Sequence, residues 1–217
     1  GNTRMRRWVA GGAACTLLAG LIGATSVAGA EPLVTNGVYG WGDAGSEQWR
    51  LDFDNNRAPY VDVAVSSRSG SQHTTLAVTA DGDVVSEGDF NGLASNMPAE
   101  IASGKITAID VMGRGSFAAA AAISEQHGIV TWNGAPEPSA VCQQRVATQG
   151  ARDVQLMVSQ VPDSYQTNAG IVLLGDGTLC SWGATSTVES TPEVGGFEKI
   201  DACLLYTSDA ADERSSV

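Results

Sequence analysis

The sequence predicts an all-β protein of small antiparallel sheets stacked on one another, and three observations carry that prediction. A segment recurs every 45 to 50 residues, each copy reads as strand, tight turn and strand, and a second apolar alternation lies upstream of each hairpin. The copies are "GVYGWG" (37–42), "LAVTADGDVVSEG" (76–88), "AAISEQHGIVTWNG" (121–134) and "IVLLGDGTLCSWG" (171–183), with Trp41, Glu87, Trp132 and Trp182 in one column. A period of this length marks supersecondary units that bury their faces only against neighbouring units.

Each element follows from local pattern. In "YVDVAVS" the two-residue period puts Val61, Val63 and Val65 on one face of a strand; "ITAIDVMG" does the same with Ile109 and Val111. "ARDVQLMVS" repeats the pattern, and "FEKIDA" begins a fourth copy. Asp81-Gly82 and Asp176-Gly177 read as two-residue hairpin turns, because Asp and Gly tolerate positive φ. The alanine run 118–122 has high helix propensity, but the repeat places it in the columns of Thr74, Leu76 and Val78, which predicts a strand. Three or four strands per unit stack into a radial ring in the usual closed solution, so the expected architecture is a partial β-propeller of about three and a half blades.

The two ends read differently from the middle. Residues 1–30 are expected to hold upstream residues and a secretory signal: Arg6 and Arg7 as the positive region after Met5, an apolar run to Val27, and Ala28-Gly29-Ala30 as the cleavage site. Residues 31–202 are expected to be a truncated repeat region. Residues 203–217, opening "CLLYTSDAADE", reverse-translate to what resembles the end of a transposon-based sequencing-library adapter, so the native protein is expected to continue past Ala202.

The chain has 12 basic and 24 acidic residues; without Arg4, Arg6, Arg7, Arg214, Asp209, Asp212 and Glu213, 8 stand against 21, about −13. Such a field repels phosphate backbones, so nucleic acid is not an expected partner. After signal cleavage no membrane association is expected. Of four cysteines, Cys15 leaves with the signal and Cys203 falls in the tail. An oxidising exterior permits a bridge between Cys142 and Cys180, but spacing alone leaves their pairing open, and Cys180 also reads as a small buried hydrophobe.

Catalytic and metal motifs are thin: neither metal-ligand spacing nor a nucleophile-elbow pattern occurs. Asp52, Asp54 and Asn56 touch the calcium-loop template, which Arg57 and Val63 break. His127 is expected solvated in a hairpin turn. The reading is therefore a binding protein, with no enzyme activity and no cofactor. Trp132 and Trp182 are expected in the core.

"GSQHTTLAVTADGDVVSEG" (70–88) and the "SWG" ending (181–183) resemble the regulator-of-chromosome-condensation repeat. "DFNGLASNMPAEIASGKITAIDVMGRGSFAAAAAI" (89–123) is similar to the secreted actinobacterial branch of that family, which includes the second type of β-lactamase inhibitory protein. The resemblance covers about 38–202 and departs at Glu87, where an aromatic is expected, at "SEQWRLDFDNNRAP", and at an enlarged loop holding Tyr165. It implies a seven-bladed propeller, and it implies that His73 hydrogen-bonds the turn of its own blade. It also implies binding to another protein, such as a β-lactamase, through loops on one face. The loops "SSRSGSQH", "GRGSF" and "QVPDSYQTN" make Phe117 and Tyr165 candidate anchors, with Gln72, Ser116 and Asp163 as polar contacts. Phe117 has a second reading, as filler between blades. The alternative function is a propeller module of a larger exported or cell-wall-associated protein.

Overall fold

Alternating side chains leave every strand with two faces to cover, and the chain answers by pairing strands in threes and stacking the threes. The computed structural model describes residues 35–39, 53–67, 73–114, 117–161 and 164–202. Sheet one holds β1 (Tyr60–Ser67), β2 (His73–Thr79) and β3 (Val84–Glu87); sheet two holds β4 (Ile106–Arg114), β5 (Phe117–Ser124) and β6 (Gly128–Trp132). Sheet three holds β7 (Ala151–Val161), β8 (Ser164–Leu174) and β9 (Leu179–Gly183). All neighbours are antiparallel and follow chain order. Short helices α1 (Ala99–Ser103), α2 (Ala140–Gln149) and α3 (Thr185–Ser190) lie between and after the sheets.

The hairpin turns hold three residues rather than the expected two. Thr79 N–H donates to the Asp83 carbonyl and Gly82 N–H to the Thr79 carbonyl, with Gly82 at φ +91°; Leu174, Thr178 and Gly177 (φ +82°) repeat this. A left-handed glycine closing a three-residue loop lets the chain rejoin the ladder through a bulge. The alanine run does form a strand: β5 pairs on both edges, and Ala118 to Ala122 are fully buried. Methyl groups on both faces let sheets one and three approach sheet two, and a helix there would leave β4 and β6 without partners.

Each first strand slips by one residue near its start, between Tyr60 and Asp62, Ile106 and Ala108, and Ala151 and Asp153. These bulges fix the structural alignment, with Asp62, Ala108 and Asp153 equivalent. Ala64, Leu76 and Val78 of sheet one meet Ile109, Val111 and Ala120 of sheet two. Ala108, Ala119 and Ala121 on the opposite face of sheet two meet Val154, Leu156 and Val172 of sheet three. Val61 and Val65 share a face, as the alternation predicts. That face points away from sheet two and leaves them 52% and 42% exposed. Trp132 and Trp182 are buried, and a Cβ on Gly170 would fall inside the Trp182 indole, so glycine is required opposite it.

Helix α2 ties two sheets together. Ser139 caps it by accepting the Cys142 N–H at 3.2 Å. The Gln143 amide takes the Ile129 N–H (2.9 Å) and donates to the Ile129 carbonyl (2.7 Å), doing for the edge of β6 what a fourth strand would do. Arg145 donates to the Leu179 carbonyl at 2.9 Å and to Thr178 Oγ1 at 2.7 Å. Cys142 and Cys180, whose pairing the sequence left open, form a disulfide, with their Cα atoms 5.6 Å apart. Cys180 is thus a bridge member rather than a free buried thiol. Closing a loop between residues 38 apart stabilises by about 4 kcal/mol in the chain-entropy account. Replacing both cysteines by alanine is expected to cost roughly 2–4 kcal/mol of unfolding free energy in denaturant titration. An unchanged midpoint would show that the bridge holds nothing the helix does not already hold.

Candidate functional site

An edge strand presents N–H groups that no ladder satisfies. β1, β4 and β7 are each the edge of their sheet, and carboxylates take the place of a neighbour. Asp62 accepts the N–H of Val63 on its own strand at 2.9 Å and, through its other oxygen, the N–H of Ile109 on β4 at 2.9 Å. Asp110 accepts the N–H of its own Val111 and that of Leu156 on β7 at 2.7 Å. Asp153 accepts the N–H of Val154 at 2.9 Å. Burial pushes the Asp110 carboxyl up to about 7, the charges of Asp153 and Asp62 add to this, and the Leu156 and Val111 N–H bonds oppose it. Its side chain is half-buried, so solvent moderates what desolvation raises. Sequence reasoning missed these three carboxylates. Their signal was the acidic residue repeated inside otherwise apolar strands.

The clasps also fix direction. Asp62 lies opposite Ile109, Asp110 opposite Leu156, and further along a Cβ on Gly113 would collide with Ser66 Oγ. The three first strands therefore run side by side in the same sense, and their C-terminal ends, which lead into β2, β5 and β8, share one end of the stack.

Phe117 opens β5 at that end. It is half-buried and packs with Met112 and Ala135 against the layer between sheets two and three, 3.7 Å from where a Cβ on Gly134 would stand. Tyr165 is at the start of β8, paired with Gln160; its side chain lies outside the described residues, as do Gln72, Ser116 and Asp163. In the connections that follow β3 and β6 the described backbone is pinned by polar side chains. Asn96 donates to Asn133 at 3.0 Å, Asn133 donates to the Asn91 carbonyl at 2.7 Å, and Asp89 accepts the N–H groups of Ala94 and Ser95. The Ser95 hydroxyl first, and then the N–H groups of Ser95 and Ala94, hold the Asp89 carboxyl below the usual carboxylate range.

His73 faces Glu87 across neighbouring strands, Nε2 to Oε1 3.6 Å, rather than the turn of its own repeat. Glu87 stands where Trp132 and Trp182 stand in their sheets, opposite Thr75, Ala120 and Gly170 respectively, so the departure in that column gives the histidine a carboxylate neighbour. His127 sits in the β5–β6 turn, exposed, 3.1 Å from Ser103 Oγ. Asp54 caps the turn of 3-10 helix Asn55–Arg57 by accepting the Asn56 N–H, and Asn55 holds both polar groups of the Val38 backbone. Of the residues that touch the calcium-loop template, Asp54 is thus engaged in capping, and Asp52 lies outside the described residues. Among the described residues no group of three or more His, Cys, Asp or Glu is placed to hold a metal ion, and no helix is long and apolar enough to cross a membrane.

No family model matches this chain, and no curated protein matches it.

A carboxyl whose folded-state pKa is raised binds its proton more tightly folded than unfolded. Its contribution is complete below about pH 4 and drains away as pH rises towards 7. Thermal unfolding is therefore expected a few degrees higher at pH 5 than at pH 8, with much of that difference gone in Asp110→Asn. An identical pH profile in the variant would remove Asp110 from the account.

Proposed function

We propose that the stacked sheets are blades of a secreted β-propeller of the regulator-of-chromosome-condensation repeat type. It works by binding another protein at the end where the first connections of all three sheets converge. The observation that carries this reading is the parallel advance of β1, β4 and β7, which brings Phe117 and Tyr165 to one end from different sheets. The other end is occupied by hairpin turns and their ion pairs, Arg57 to Asp83 at 2.6 Å and Lys105 to Glu125 at 3.2 Å. The Cys142–Cys180 disulfide supports export, since such bridges persist in oxidising compartments.

The partner class suggested by the sequence resemblance is a β-lactamase, inhibited by occlusion of its active-site entrance. Occlusion asks no chemistry of the inhibitor, and its strength follows the quality of a few anchors rather than area. In this reading Tyr165 is the anchor that meets the partner, while Phe117 fixes the β4–β5 connection on the seam between sheets two and three.

Titrating the purified chain against a panel of β-lactamases tests the proposal, and absence of inhibition or binding across the panel rejects the β-lactamase partner. With a binding enzyme in hand, Tyr165→Ala is expected to weaken affinity about ten-fold or more at an unchanged unfolding midpoint. Phe117→Ala is expected to lower stability by about 1–3 kcal/mol. The reverse assignment of the two effects would exchange their roles.

A further inference from the structure

β3, β6 and β9 form the other edge of each sheet, and two of these edges are closed from within the chain. With Glu87, Trp132 and Trp182 in one column, the ladder registers put Val84, Ile129 and Leu179 in the same place, opposite Val78, Ile123 and Leu173. The Ile129 N–H and carbonyl both meet the Gln143 amide, so this place faces away from the neighbouring strand. The Leu179 carbonyl takes the Arg145 guanidinium at 2.9 Å. Helix α2 supplies both closures. Val84 has no counterpart to them: among the described residues no group bonds its outward N–H or carbonyl, or those of Ser86, which faces the same way two residues on. The connection after β3 turns off the edge, since Phe90 N–H donates to Thr74 Oγ1 and Phe90 and Leu93 pack in the layer between sheets one and two.

The open edge is also the acidic one. Residues 81–89 carry Asp81, Asp83, Glu87 and Asp89 and no basic residue; the same stretch has no acidic residue around β6 (126–134) and one, Asp176, around β9 (176–184). Asp81, Asp83, Ser86 and Asp89 are exposed. Asp83 pairs with Arg57, Glu87 faces His73, and Asp89 accepts N–H groups of the connection that follows it. One guanidinium against four carboxylates leaves the edge negative. Such a charge repels a second copy of this chain, whose net charge is −12, and attracts a strand of opposite sign.

We propose that the free edge of β3 is a second docking surface, which takes an extended cationic segment of another protein as an added strand. The backbone of that segment bonds the N–H and carbonyl groups of Val84 and Ser86, and its Lys or Arg side chains meet the carboxylates on either side of them. Its backbone does at Val84 what the Gln143 amide does at Ile129. This surface lies along the edge of sheet one and uses neither Phe117 nor Tyr165.

Amide hydrogen exchange on the full chain, followed residue by residue by NMR, tests it with three hexapeptides: alternating lysine and threonine, alternating glutamate and threonine, and the lysine peptide with every backbone nitrogen methylated. The lysine peptide at saturation is expected to slow exchange at Val84 and Ser86 about ten-fold or more, while Val85 and Glu87, already in the ladder with β2, change little. The glutamate peptide and the methylated peptide are expected to leave all four unchanged. Val84→Pro, which removes one edge N–H where an edge strand tolerates proline, is expected to abolish the protection of Ser86. If that variant fails to fold, the methylated peptide still decides. An edge that is merely guarded by its charge would show no slowing at Val84 and Ser86 with any peptide, and that result overturns the proposal. Slowing by the methylated peptide equal to that by its parent, or by the glutamate peptide equal to that by the lysine peptide, overturns it as well.

Discussion

The structure depends on how the exposed edge of each first strand is satisfied. A stack of small sheets brings the edges of β1, β4 and β7 together with no room for a further strand, and their N–H groups cannot be left bare in a crowded interior. An aspartate is short enough to turn back on the N–H that follows it and still reach the adjacent sheet. Asp62 and Asp110 do both. Hydrophobic layers such as Leu76 and Val78 against Ile109 and Val111 supply most of the attraction between sheets but set no register. The carboxylates set it, because an N–H bond displaced by one residue would point to the other side of the strand. The cost is the burial of a carboxyl, with acidic groups near one another adding to it, visible in the upward displacement at Asp110.

From this constraint the division of labour between the two ends follows. Strands held in step send all their first connections to one end. At the other, turn residues Gly82 and Gly177 are consumed in starting the next repeat. The tryptophan column closes the loop end from within, since Trp132 donates to the Leu93 carbonyl and Trp182 to the Pro136 carbonyl, both at 2.9 Å. Each bond fastens an inter-sheet connection onto the sheet that follows it.

Much of the fold was legible because period and alternation are properties of composition at fixed spacing. The hairpins, the upstream strands, the buried Trp132 and Trp182 and the strand character of the alanine run all followed from them. What escaped depended on register or on contacts between distant residues. "VDV" and "IDV" look alike, yet the bulges place Asp62 and Asp110 two residues apart in height. The third residue of the hairpin loops is invisible in an Asp-Gly pair. Pairing of Cys142 with Cys180 and of Gln143 with Ile129 depends on where α2 docks, which no local pattern encodes. At the candidate site the sequence named the loops before each hairpin as the binding end, and the structure adds that Phe117 packs in the seam between sheets two and three.

The central claim is that one carboxylate bonds backbone groups of two different sheets, and an NMR titration of backbone amides reads it directly. The N–H resonances of Val111, on the same strand as Asp110, and of Leu156, on the next sheet, are expected to shift together with one midpoint near that of Asp110, about 7. A Leu156 resonance that stays flat while Val111 titrates would mean that the sheets are held by apolar contact alone, and would contradict the account.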